Sequence, residues 1–153
     1  MLIHNNFTNK IELLKELENV GIELISDPET WAFEYGCKTL AYKDVATLEE
    51  AINHINTYGS GHTDCIITKN DENSEIFMQK VDSAGVYKNV STRFADGYRY
   101  GFGAEVGIST NKTHSRGPVG LDGLTIYKYK LIGNGHVVKD YIDGTKSFKH
   151  KDL

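Results

Sequence analysis

Cysteine and proline are both scarce, each occurring twice in 153 residues. Cys37 and Cys65 are too few and too casually spaced for a disulfide framework or a zinc site. The expected setting is therefore a reducing compartment, most simply the cytoplasm. No apolar run approaches the ~20 residues needed to cross a bilayer, which excludes a membrane-spanning helix. The first six residues lack a basic region followed by an apolar core, so they read as neither a secretory signal nor a transit peptide. Sequons at Asn6, Asn89 and Asn111 are accordingly read as chance matches. Positive charge is not in excess either: 17 basic against 21 acidic residues leave a net charge of -4. That balance offers no basic field for nucleic acid, and a phosphate-bearing ligand would have to be held by local groups.

What is present is an ordinary globular composition, 25% charged and 39% hydrophobic, at a length that fits one domain. The first ninety or so residues alternate between helix and strand patterns. Thr8 is placed to cap a helix with the stripe Leu13, Leu14, Leu17 and Val20, and Gly21 to end it. Ile22 to Ile25 alternates as a strand, and residues 39–45 read as a second. Thr47-Leu48-Glu49-Glu50 is a capping box ahead of the apolar face Leu48, Ala51, Ile52 and Ile55, with Gly59 as the stop. Residues 65–68 read as a buried strand, residues 71–80 as a helix facing Ile76 and Phe77 inward, and residues 85–87 as a further strand. Helices between apolar strands imply an α/β fold with a parallel sheet.

Beyond Asn89 the texture changes. Seven glycines between Gly97 and Gly123 crowd a stretch with little periodicity, which implies close packing and bends. Residues 125–132 and 136–142 then flank Gly133-Asn134-Gly135, the pattern of a β-hairpin.

Several residues are candidates for chemistry. Gly101-Phe102-Gly103-Ala104-Glu105-Val106-Gly107 has nearly the spacing of a dinucleotide fingerprint, but one gap is a residue too long and a loop precedes it, so it reads as a packed loop. His54, His62 and Cys65 lie close in sequence without standard ligand spacing, and His54 is expected on the solvent side of its helix. Cys65 opens an apolar strand and Cys37 has no neighbouring histidine, so neither reads as a nucleophile. Asn89, Ser91, Thr92 and Arg93 follow a strand, where open α/β sheets place ligands. Their hydroxyls, amide and guanidinium suit a phosphate or carboxylate; a solvated polar turn is the competing reading. Arg116 is a weaker anion candidate.

The stretch from Val81-Asp82-Ser83-Ala84-Gly85-Val86-Tyr87 through Ser91-Thr92-Arg93-Phe94-Ala95-Asp96-Gly97 to Ala104-Glu105-Val106-Gly107-Ile108-Ser109-Thr110 resembles the signature of the γ-glutamyl phosphate reductase family. Tyr58-Gly59-Ser60-Gly61-His62-Thr63-Asp64 and Arg116-Gly117-Pro118-Val119-Gly120-Leu121-Asp122-Gly123-Leu124 continue the likeness, which runs from Leu2 to the C-terminus. The resemblance implies an aldehyde-dehydrogenase-type catalytic domain portion over residues 1–124, and a C-terminal β-hairpin oligomerisation arm with a tail over residues 125–153. It implies NADPH as cofactor, γ-glutamyl phosphate as substrate, and glutamate 5-semialdehyde as a product used in proline biosynthesis. In that chemistry a cysteine thiolate attacks the acyl phosphate and the cofactor reduces the resulting thioester.

The same resemblance places the nucleophilic cysteine ahead of the segment matching Leu2-Ile3-His4, along with the cofactor domain. The expectation is that no catalytic nucleophile lies in this chain and that the chain alone is inactive. Glu34, in Phe33-Glu34-Tyr35, resembles the superfamily glutamate that bonds the nicotinamide ribose. His62, Asn89, Ser91 and Arg93 would line the substrate pocket. The hairpin would pair with another subunit, giving a homo-oligomer or, in the alternative reading, a non-catalytic module bound to a full-length reductase. Two departures from the family pattern, Lys88 and Ser115, would either alter the substrate wall or face solvent.

Overall fold

The computed structural model describes residues 1–112 and 115–150. Its strands are short and pair two by two. Strand β1 (Leu2–His4) lies parallel to β4 (Lys43–Val45), and β2 (Glu23–Ile25) parallel to β3 (Thr39–Ala41). Strand β5 (Thr63–Ile66) lies parallel to β6 (Gly85–Lys88), while β7 (Gly107–Ser109) and β8 (Gly117–Val119) are antiparallel. The expected parallel pairing is present, but as separate pairs among the described residues rather than one continuous sheet. The single strand expected over residues 39–45 is two. The chain changes partner at Tyr42, whose amide donates to Ile25 while the next amide turns to Met1.

Helix α1 (Lys10–Asn19) begins one residue later than expected. Asn9 occupies the cap position without a side-chain cap bond, and the Thr8 hydroxyl donates to the Asn9 side chain instead. At the other end Gly21 takes φ +81, its amide donates to Glu18 O, and the Ile22 amide donates to Leu17 O. These two bonds satisfy carbonyls that the helix leaves open, and the left-handed backbone they need suits glycine.

Helix α2 (Leu48–Tyr58) starts as its sequence dictates. The Thr47 hydroxyl accepts the Glu50 amide at 3.1 Å, and the Glu50 carboxylate reaches back to the Ala46 amide at 2.8 Å. Helix α3 (Asp71–Lys80) is capped by Asn70, whose side chain accepts the Asn73 amide. The main core forms between these two helices and the β5–β6 pair. Ile52, Phe77 and Val81 are buried there, with Leu48, Ile55, Ile66, Ile76 and Val86 packed around them. Ile3 on β1 and Val45 on β4 are also buried.

The expected hairpin is not formed within the chain. Residues 125–133 belong to no strand, and residues expected as its second strand form the helix α5 (Val138–Ile142). Gly135 does turn the chain with φ +69, but Ile126 and Leu131 are 95% and 99% exposed. A hairpin without an apolar face to cover it is marginal by itself, so local pattern alone does not hold its strands together. One further short helix, α4 (Leu121–Leu124), follows β8.

Candidate functional site

The β5–α3–β6 unit sets the geometry of the candidate site. Both strands end at the same level, with Ile66 opposite Lys88, and the chain then turns sharply at Asn89. Asn89 has φ +52, the one positive φ at a non-glycine position among the described residues. Its backbone amide donates to Ile66 O at 2.9 Å. Its side chain accepts the Thr68 amide at 2.8 Å and donates to the Thr68 carbonyl at 2.7 Å. The amide thus imitates a strand neighbour, extending the β5–β6 ladder where the main chain has left it. Asparagine tolerates this left-handed backbone better than most side chains. Both polar ends of Asn89 are therefore engaged in holding the turn.

Past this turn, Ser91 caps a short 3-10 helix (Thr92–Phe94), its hydroxyl accepting the Arg93 amide at 3.2 Å. Arg93 is exposed, and no described hydrogen bond or ion pair involves its guanidinium. Cys65, partly buried below, donates its thiol to Val90 O at 3.1 Å. The thiol thus ties this loop to β5.

A small cavity lies beside the loop, lined by His62, Thr63, Gly85, Tyr100, Ile108 and Pro118 among others. His62 Nδ1 lies 2.7 Å from the Thr63 hydroxyl. A side chain at position 85 would meet Thr63 at 3.2 Å and the Tyr100 hydroxyl at 3.4 Å, so glycine lets these groups converge without a tight contact. The Tyr100 hydroxyl in turn bonds that of Tyr87 on β6. Burial, then the bond to Tyr100, push the Tyr87 phenol far above its usual value, because the charged phenolate loses solvation there.

The other sequence candidates are placed apart. Glu34 lies exposed in the loop joining β2 to β3, and neither of the two described cavities includes it. Arg116 is no free anion site: its guanidinium donates to the Asp82 carboxylate at 2.9 Å and to the Asp82 carbonyl at 2.8 Å. Lys88 bonds the Asp71 carboxylate at the start of α3. Ser115 donates to Gly123 O at 3.3 Å. Of the two departures from the family pattern, each thus has an internal partner. His54, expected on the solvent side of its helix, is half-buried; it packs edge-on to Trp31 at 5.1 Å and against Tyr58 at 4.8 Å. Residue spacing carried no signal for Thr63, Tyr87, Arg99 or Tyr100, which meet one another or the candidate loop only through the fold.

No protein-family model matches the chain. Among curated proteins, the γ-glutamyl phosphate reductase of Acetivibrio thermocellus is 55% identical across all of this chain, which covers 39% of that protein. The one from Brachyspira hyodysenteriae is 65% identical over 84% of the chain and 30% of its own length. The crystal structure of γ-glutamyl phosphate reductase from Thermotoga maritima matches with TM-score 0.82 at 40% identity, over 89% of this chain and 37% of that one. The chain is a relative of the γ-glutamyl phosphate reductases. It spans well under half the length of each of these two curated reductases. The alignment with the Acetivibrio thermocellus reductase includes the whole Asn89–Arg93 turn, and the mixed α/β fold with parallel strands is shared with the Thermotoga maritima reductase.

Proposed function

We propose that this chain forms one wall of the site in which an NADPH-dependent reductase converts γ-glutamyl phosphate to glutamate 5-semialdehyde. The observation that carries this reading is the Arg93 guanidinium, unengaged and held at the carboxyl end of a parallel strand pair by a braced turn. Ligands of open α/β sheets bind at that end, and a guanidinium matches a phosphoryl group in charge and shape. Ser91 helps set its backbone, and His62 and Thr63 line a small cavity with Ala95 and Tyr100 farther along the same loop.

The residues present fit one contact of the cofactor. The Glu34 carboxylate is exposed and has no described partner, so it is free to accept from vicinal ribose hydroxyls. The glycines at 101, 103 and 107 lead into strand β7 rather than a helix, so they do not form a phosphate cradle of the dinucleotide kind. When bound, NADPH supplies the hydride; Glu34 would orient its ribose, and Arg93 would hold the phosphoryl group as it leaves. In this reading the attacking thiol comes from outside the chain, because the resemblance places the nucleophile ahead of the segment matching Leu2-Ile3-His4. Such an enzyme works in the cytoplasm.

A second reading is favoured by one observation. Residues 125–132 are exposed and bonded to no strand, with Ile126, Tyr129 and Leu131 at 95%, 89% and 99% exposure. Such a segment can add to a sheet edge of another chain. In this reading the chain is a non-catalytic module that joins a full-length reductase through the arm.

The test is a chimera in which this chain replaces the matching part of the Acetivibrio thermocellus reductase. The expected result is retained reduction of γ-glutamyl phosphate, with Arg93→Ala raising KM about tenfold or more. The separate chain is expected to oxidise no NADPH. A folded chimera whose KM ignores Arg93→Ala removes the basis of the first reading. Co-elution of the chain with an intact reductase, lost when 125–132 is deleted, supports the second.

A further inference from the structure

We infer that Arg99 is a positioning residue for Arg93, fixing the anion-binding guanidinium by a charged strut from the far end of the same loop; this rests on the proposed role of Arg93. Arg99 Nη1 donates to the Arg93 carbonyl at 2.6 Å. That bond is short and charge-assisted, the stronger class of hydrogen bond. It closes a ring between positions 93 and 99 on the main chain itself, so it constrains the direction in which the Arg93 side chain leaves.

The strut is itself held. The Arg99 amide donates to Asp96 Oδ1 at 3.0 Å, and the Asp96 carboxylate also lies 3.8 Å from Nη1. The Tyr100 amide donates to Asp96 O at 3.0 Å, and the Tyr100 hydroxyl bonds Tyr87 on β6. Farther along, the Gly97 amide donates to the Glu105 carboxylate at 2.7 Å. A side chain at position 97 would come within 3.1 Å of both that carboxylate and Gly103 O, tighter than an ordinary contact, so glycine suits the closed loop there. The glycine-rich stretch is thus a compact bracket that carries one guanidinium back to the backbone of another. Arg93 is left with its charge unshared, whereas Arg99 is committed to the loop.

The test compares the 153-residue chain with Arg93→Ala, Arg99→Ala and Arg99→Lys, using acetyl phosphate as the probe. Binding is read by calorimetry and the order of the Arg93 backbone by NMR relaxation. Arg93→Ala is expected to abolish binding. Arg99→Ala is expected to weaken it about tenfold and to lower the order parameter of the Arg93 amide, with melting temperature little changed because the side chain is on the surface. Arg99→Lys, which keeps one charged donor, is expected to restore most of both. Binding lost in Arg93→Ala but unchanged in Arg99→Ala, or a lysine variant no better than alanine, overturns the inference alone. Absence of binding by the parent chain, or binding that ignores Arg93→Ala, overturns the role of Arg93 and the inference with it.

Discussion

Asn89 grips both backbone groups of Thr68, accepting its amide at 2.8 Å and donating to its carbonyl at 2.7 Å. This pair joins the ends of two parallel strands after the ladder has stopped, and it does so from a left-handed backbone. Replacing Asn89 by Ala removes both bonds and leaves a poorly tolerated conformation, for an expected loss of about 2–3 kcal/mol. Asn89→Gly relieves the backbone and should recover about 1 kcal/mol of that loss. Urea denaturation of the three proteins checks the order; equal damage by Gly and Ala would show that the backbone contributes nothing.

Phe77 is the centre of the main core at 3% exposure, in contact with residues of α2 and β6. Truncation to Ala leaves a cavity that the two helices cannot both close, and about 3–5 kcal/mol should be lost. Thermal unfolding measures this. Val20, just past the end of α1 and 60% exposed, should tolerate Ala with less than about 0.5 kcal/mol of change.

His54 titrates low, because packing among Trp31 and Tyr58 strips its cation of solvent and the nearby Lys43 repels it; Glu50 opposes this more weakly. The folded state therefore prefers neutral His54. Its contribution is complete above the ordinary value of 6.5 and is lost as pH falls through the depressed folded value. His54→Phe keeps the aromatic packing without the titration, so its melting temperature should fall less between pH 7 and pH 5 than that of the parent. An identical fall in both proteins would rule His54 out as the cause.

Asp82 is held below the ordinary carboxylate value, first by Lys112 and then by Arg116. The stabilisation is present above its unfolded value of 3.8 and disappears as pH drops through the lower folded value. Asp82→Asn should flatten this acid limb, seen as a smaller stability difference between pH 5 and pH 3. Lost stability of the same slope in both proteins would show that the ion pairs contribute nothing.

The sequence by itself determined the local elements whose cause is local. Thr47 and Glu50 start α2 because their own side chains satisfy its open amides, and Gly21 ends α1 because few other residues adopt its backbone. Only the tertiary structure decided how those elements serve a site. Asn89 acts as a brace because the fold brings Thr68 beside it. Arg116 looked like an anion site until Asp82, thirty-four positions away, came to face it. Residues 125–142 carried a hairpin pattern, but strands are stabilised by what covers them, and no described part of the chain covers these. Spacing along a chain specifies a turn or a cap, whereas a side chain's partner depends on which distant atoms the packed core delivers to it.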